Sequence, residues 1–228
     1  MTLTAGTAEQ LADLLRGARV LLLDFDGPVA HLFAGRPAPD VAADIRRFAT
    51  HHDIDLSGTR TDDPLMLLRA AYRHSAEAGR DVEAHVIDHE ARAATGAAPT
   101  PGAHDLIRVA SATRPVLIVS NNSERAIRIH LARHGLTEHV AHIIGRPFGH
   151  PEQMKPDPYL LRAALDVTRT GGSESVFVGD SITDVIAGTA AGVPCIGYAT
   201  HPQRGDGLAD ADAVVVVDDM RTLSRVID

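Results

Sequence analysis

The amino-acid sequence predicts an α/β protein: a doubly wound parallel sheet with helices on both faces and an all-helical segment inserted near its start. Three observations carry this expectation. A short apolar run, residues 20–23, opens the pattern as a fully buried strand. From residue 102 onward apolar runs alternate with amphipathic segments, the order that builds a parallel sheet. Between the two, from 30 to about 100, no core-like strand occurs and the apolar spacing is helical.

Residues 1–19 read as a polar lead and a helix with Leu11, Leu14 and Leu15 on one stripe, followed by the opening strand at 20–25. Three helices are expected in the insertion. Pro39-Asp40 begins the first, with Val41, Ile45 and Phe48 on a face; Asp63-Pro64 caps the second, carrying Leu65, Leu68 and Tyr72; Asp81 begins the third, with Val82 and Val86 aligned. Pro99 and Pro101 bound the segment on its far side. Then come a helix at 102–112, a strand at 116–120, a helix near 124–134 and a weaker strand near 140–144. A helix at 157–166, a strand at 175–179, a helix at 182–191 and strands at 193–197 and 213–217 complete the alternation.

A chain of 228 residues with 44% hydrophobic and 23% charged side chains has the composition of an ordinary globular protein. Its net charge of −8, without a Lys/Arg run, argues against a nucleic-acid partner. No stretch reaches membrane-spanning length, and the run at Val20 is too short and too far in for a signal peptide, so a cytoplasmic location is expected. A single cysteine, Cys195, excludes an internal disulfide; between Val193-Pro194 and Ile196 it reads as a buried strand residue.

Polar residues gather where the strands end. The first strand stops at Asp24-Phe25-Asp26-Gly27, the second at Ser120-Asn121-Asn122, and a later one at Gly179-Asp180-Ser181, with Asp184 just beyond. Paired carboxylates repel and call for a cation between them; one can attack phosphorus while the other, its pKa raised by crowding, delivers a proton. In a parallel sheet all these points share one edge, where ligands bind. Lys155, in Met154-Lys155-Pro156-Asp157-Pro158, is the only lysine in the chain. A compact ammonium beside a helix N-terminus suits both a carboxylate and a phosphoryl oxygen. Ser120 at a strand tip is placed for a phosphate oxygen, whereas Asn122 or Ser123 is the candidate cap of the next helix. Ser181 and Asp184 have capping-box spacing, so Asp184 has a structural reading as well, while Asp180 is the better metal ligand. Several carboxylates together suit magnesium over zinc.

Taken in order, Asp24-Phe25-Asp26-Gly27, Ser120-Asn121, Lys155-Pro156 and Gly179-Asp180-Ser181-Ile182-Thr183-Asp184 resemble the four motifs of the haloacid dehalogenase superfamily, in its phosphatase branch, over residues 20–200. The resemblance implies a Rossmann-like catalytic core, residues 1–29 and 101–228, and a helical cap, residues 30–100. It implies Asp24 as nucleophile and Asp26 as acid and base. Magnesium would be held by Asp24, Asp26 through its backbone carbonyl, Asp180 and Asp184, and the phosphoryl group by Ser120, Asn121 and Lys155. The implied partner is a small-molecule phosphate ester, with monomer or homodimer left open. Pro28 departs from the family, which usually carries Thr or Val there.

Asp26 together with Asp180 argues against the dehalogenase branch, and the absence of lysine from 30–100 argues against phosphonate hydrolysis by a Schiff-base lysine. A sugar-phosphate mutase of the β-phosphoglucomutase type is the alternative within the superfamily, and a non-catalytic phosphometabolite-binding protein the alternative outside it. In the cap, Arg36, Arg60, Arg69 and Arg73 are candidates for a second anionic group, with surface positions the default. His51 and His52 read as solvated loop residues. His85 and His89, four apart on a helix, read as solvent-facing histidines.

Overall fold

The computed structural model describes residues 5–35 and 37–227; Arg36 lies outside them. In chain order the elements are α1 (Ala5–Gly17), β1 (Val20–Leu23), β2 (Ala30–His31), α2 (Ala38–His51), α3 (Pro64–His74), α4 (Ala76–Ala94) and β3 (Ala98–Pro99). They continue as α5 (Ala103–Ser111), β4 (Val116–Val119), α6 (Glu124–Arg133), β5 (His142–Ile144), α7 (Tyr159–Thr168) and β6 (Ser175–Gly179). The last are α8 (Ile182–Ala191), β7 (Cys195–Tyr198), α9 (Pro202–Asp210), β8 (Val215–Val217) and α10 (Arg221–Ile227).

Six strands form one sheet in the order β5-β4-β1-β6-β7-β8, and every pairing is parallel. The four residues of β1 are all buried, because both of its faces are covered. Strand periodicity divides the core in two. Leu21, Leu23, Val116, Ile118, Val176 and Val178 face α1, α5, α6 and α10; Val20, Leu22, Leu117, Val119 and Phe177 face α7, α8 and α9. The order reverses at β1, with β4 on one side and β6 on the other, so their tips stand side by side at a switch point.

Helices α2, α3 and α4 bury a third apolar cluster, built on Val41, Ile45, Leu67, Leu68, Val82 and Val86. The two chain segments joining these helices to the sheet pair with each other, β2 with β3, antiparallel. Asp63 caps α3 as its sequence suggests, its Oδ1 accepting from Leu65 N at 2.8 Å.

Helix α4 departs from expectation in where it starts and in what its histidines face. It begins at Ala76, capped by Ser75 accepting from Ala78 N, and not at Asp81. Gly79 is needed in its first turns because a Cβ there would lie 2.2 Å from the Tyr72 ring. His89 is buried and His85 half-buried, so the solvent-facing reading is wrong. Phe48 on α2 stacks on His85 at 4.3 Å, and His85 Nε2 lies 3.1 Å from His89 Nε2. The exposed face of an isolated α4 is thus the face that α2 covers. Cys195 is buried in β7 as expected, and α9 and α10 are additional helices. No helix among the described residues is long and apolar enough to cross a membrane.

Three histidines gather between α5 and α6. His104 Nε2 lies 3.0 Å from His130 Nε2, and the His134 ring packs 4.4 Å from that of His130. Burial lowers His104 to about 4 and His130 to about 3 from an ordinary 6.5. Both rings stay neutral in the fold while the unfolded chain binds protons below 6.5, so acid favours unfolding. The contribution is complete above pH 6.5 and is lost progressively as pH falls towards these values, at up to about 1.4 kcal/mol per pH unit for the fully buried His130. Between pH 7.5 and 4.5 the urea midpoint of the wild type is expected to lose ground to that of His130→Leu, which lacks this proton uptake on unfolding. Equal slopes in the two proteins would contradict this account.

Candidate active site

The site is assembled from the ends of β1, β4 and β6 and the loop before α7. Asp24 N still donates to Val178 O at 2.9 Å, so the strand ladder holds this residue's backbone in place. A tight turn follows: Val29 N and Ala30 N both donate to Phe25 O, and Gly27 N donates to Ala30 O at 2.8 Å. Gly27 has φ +104°, and a Cβ on it would stand 2.4 Å from Asp180 Oδ2. Only glycine combines that backbone with so close an approach.

Lys155 is the buried centre. Its Nζ lies 2.9 Å from Asp24 Oδ1 and 2.5 Å from Asp184 Oδ1, donates to Val119 O at 3.2 Å, and sits over the Phe177 ring at 5.1 Å. Burial alone would lower this ammonium's pKa; Asp184 and Asp24 overcome it and raise it, so the group stays charged. Its backbone is held by Asn121, whose Oδ1 accepts from Lys155 N at 2.8 Å and whose Nδ2 donates to Lys155 O at 3.1 Å. The Asn121 side chain is therefore committed to placing Lys155, which leaves its main-chain N–H as its candidate group toward a phosphoryl oxygen.

Ser120 is buried at the tip of β4, its Oγ donating to Asn122 Oδ1 at 3.0 Å. Ser123 caps α6. Asp184 serves two purposes. Its Oδ2 accepts from Asp180 N, Ser181 N and Ser181 Oγ in a capping box, while Oδ1 meets Lys155. The capping reading of Asp184 holds, and the same side chain also reaches Lys155.

Burial raises the Asp24 carboxyl, with Asp184 adding to it against Lys155. Burial pushes Asp26 up to about 6, opposed by the N–H of Leu32, which donates to its Oδ1 at 2.8 Å. Asp180 is pushed up to about 8 by burial, with Asp24 and Asp184 adding repulsion. Such crowding of like charge is the environment that a cation relieves. Asp24, Asp180 and Asp184 each offer an oxygen within 4.8 Å of the others, a hard all-oxygen set able to hold a metal ion.

These residues line a cavity of about 260 Å³, closed on its other side by Phe33, Pro64, Leu65, Val86 and Glu90 from the helical segment. Arg60, Arg69 and Arg73 do not line it; Arg60 and Arg73 are exposed, and Arg69 Nη2 is turned to Met154 O at 3.4 Å. His51 and His52 are exposed as expected. Reading the sequence missed Arg204, on α9, whose Nη1 reaches Asp180 Oδ2 at 3.1 Å, and it missed Glu90 and Arg146, described below. A lone Arg or Glu, whether in an amphipathic helix or just after a strand, carries no signal of this kind.

A haloacid dehalogenase-like hydrolase profile matches residues 3–192. The chain belongs to this family. It is 34% identical over 106 residues to a phosphoglycolate phosphatase of Pseudomonas fluorescens (strain Pf0-1), a match covering 46% of this chain and 38% of that protein. It is 27% identical over 223 residues to the phosphoglycolate phosphatase of Pseudomonas savastanoi pv. phaseolicola (strain 1448A / Race 6), covering 94% of this chain and 74% of that one. The chain thus spans well under half the length of the first of these curated relatives. Its fold is similar to that of CbbY from Rhodobacter sphaeroides, solved in complex with phosphate, with TM-score 0.66 at 20% identity over 90% of this chain and 95% of that one. The haloacid dehalogenase-like fold explains why the strand ends converge, since the switch point at β1 places two motifs on either side of Asp24.

Proposed function

We propose that this chain is a magnesium-dependent phosphatase that hydrolyses a small-molecule phosphate monoester through an aspartyl-phosphate, with residues 1–29 and 101–228 as catalytic core and 30–100 as cap. The observation that carries the reading is the buried Lys155 ammonium held between Asp24 and Asp184, with Asp180 on the same cavity.

In this reading an oxygen of Asp24 attacks phosphorus in line and the ester P–O bond breaks. Asp26, which burial keeps able to carry a proton near neutrality, gives that proton to the leaving oxygen. It then takes one from the water that cleaves the aspartyl-phosphate, releasing phosphate and restoring Asp24. Ser120 Oγ, Lys155 Nζ and the main-chain N–H groups near Phe25 and Asn121 bind the phosphoryl oxygens, where charge accumulates. Asp24, Asp180 and Asp184, with the Asp26 carbonyl, would hold a magnesium ion, which would supply charge neutralisation when bound. The cavity of about 260 Å³ favours a small ester, and phosphoglycolate, the substrate named in the curated relatives, belongs in the first screen. A reducing, cytoplasmic setting suits the single buried thiol.

The test is phosphate release from p-nitrophenyl phosphate and a panel of metabolite phosphates. Turnover is expected with magnesium, is expected to fall at least about 100-fold on chelation, and is expected to return on adding magnesium back. Turnover indifferent to chelation removes the metal from the mechanism. An isomerised sugar phosphate without phosphate release makes the protein a mutase.

A further inference from the structure

Behind the strand tips lies a second buried charged group that the chemistry above does not use. Arg146 follows β5 with its side chain wholly buried. Its Nε lies 3.0 Å from Glu83 Oε1, and its Nη1 and Nη2 grip Glu90 at 2.9 and 3.1 Å in a two-pronged pair. Both glutamates are on α4, and both are buried. Their other positions are filled: Tyr72 OH and Gly149 N donate to Glu83 Oε2 at 2.6 and 2.9 Å, and Ser123 N donates to Glu90 Oε2 at 3.0 Å.

Holding a helix against a sheet does not require this. Burying ions is costly, and apolar side chains of similar volume usually do as well. What charges add is direction. Asn122 Nδ2 donates to Glu90 Oε1 at 3.3 Å while Asn122 Oδ1 accepts from Ser120 Oγ at 3.0 Å. A flipped amide would set its carbonyl against the Glu90 carboxylate, so the charge of Glu90 decides which end of Asn122 faces Ser120. Arg146 Nη1 also donates to Asn121 O at 2.7 Å, and Arg146 N to Asn122 O at 2.9 Å. The same guanidinium therefore holds the loop and the helix together.

We propose that Glu90 is a positioning residue for Ser120, acting through Asn122, with Arg146 as the cation that keeps Glu90 in place. Asn122 Oδ1 and its main-chain N–H both meet Ser120 Oγ, so Glu90 fixes where that oxygen stands. The hydroxyl proton turns from Asn122 Oδ1 to the phosphoryl oxygen when phosphate binds. This rests on the phosphatase reading, in which Ser120 binds a phosphoryl oxygen.

Glu90→Gln keeps the shape and removes the charge. In the full chain with p-nitrophenyl phosphate, it is expected to lower kcat/KM about tenfold and to weaken inhibition by inorganic phosphate by a similar factor. Asn122→Ala, which leaves the ion pairs intact, should weaken phosphate inhibition equally, and adding Glu90→Gln to it should change the constant less than twofold. Glu83→Gln loses an ion pair without touching Asn122, so its thermal midpoint should fall while its kinetics stay within twofold. A Glu90→Gln protein that only melts earlier, with wild-type KM, kcat and phosphate inhibition, overturns the proposal. So does an Asn122→Ala protein with wild-type phosphate inhibition, or a double variant whose losses multiply. A wild-type protein that hydrolyses no phosphate ester overturns the phosphatase reading, and this proposal with it.

Discussion

Asp24→Asn is expected to lose phosphatase turnover by roughly 10⁴-fold or more while the protein stays folded. The amide is nearly isosteric with the carboxylate but cannot attack phosphorus and regenerate. Nothing in the backbone depends on the side chain, since Asp24 joins the sheet through its main-chain N–H to Val178 O. Stability should hold or rise. Burial and the neighbouring Asp184 disfavour the charged form of Asp24, so replacing it removes repulsion and leaves Lys155 paired with Asp184. Phosphate release and the urea midpoint, measured on one preparation, check both halves. Near-normal turnover would remove Asp24 as nucleophile, and a large drop in midpoint would show that the side chain carries structure.

Lys155→Met should behave in the opposite way, losing activity and stability together. The facing oxygens of Asp24 and Asp184 have no other hydrogen-bond partner among the described residues, so the ammonium is what offsets their burial. Removing one partner of a buried pair typically costs about 3–5 kcal/mol. For a chain of this size that corresponds to a melting midpoint lower by roughly 6–20 °C. Uptake of a proton by Asp24 recovers part of it, because burial already disfavours its charge. Turnover should fall by about 10²–10³, the usual effect of removing a donor aimed at developing charge. An unchanged midpoint would contradict the electrostatic account of this centre.

Much of this was legible without coordinates because the signals are local. A continuous apolar run followed by Asp24-Phe25-Asp26-Gly27 can only be a buried strand ending in a polar turn, and the Ser181-x-x-Asp184 spacing caps a helix within four residues. The boundaries of α8 came out as expected for that reason. The start of α4 did not: the cap is Ser75, which accepts from Ala78 N, and the helix already runs before Asp81. His85 and His89 were misplaced because an isolated helix does not show which neighbour will cover it.

By itself the sequence determined the alternation of strands and helices, the insertion and the residue types at each strand end, all properties of segments a few residues long. Only the tertiary structure decided the rest. It put Lys155 between Asp24 and Asp184, turned the Asn121 side chain to the Lys155 backbone, brought Arg204 to Asp180 and buried Arg146 between two glutamates. The physical reason is that a charge takes its partner from whatever the fold brings within a few ångströms. Arg146 and Glu83, 63 positions apart in the chain, carry no mark of each other.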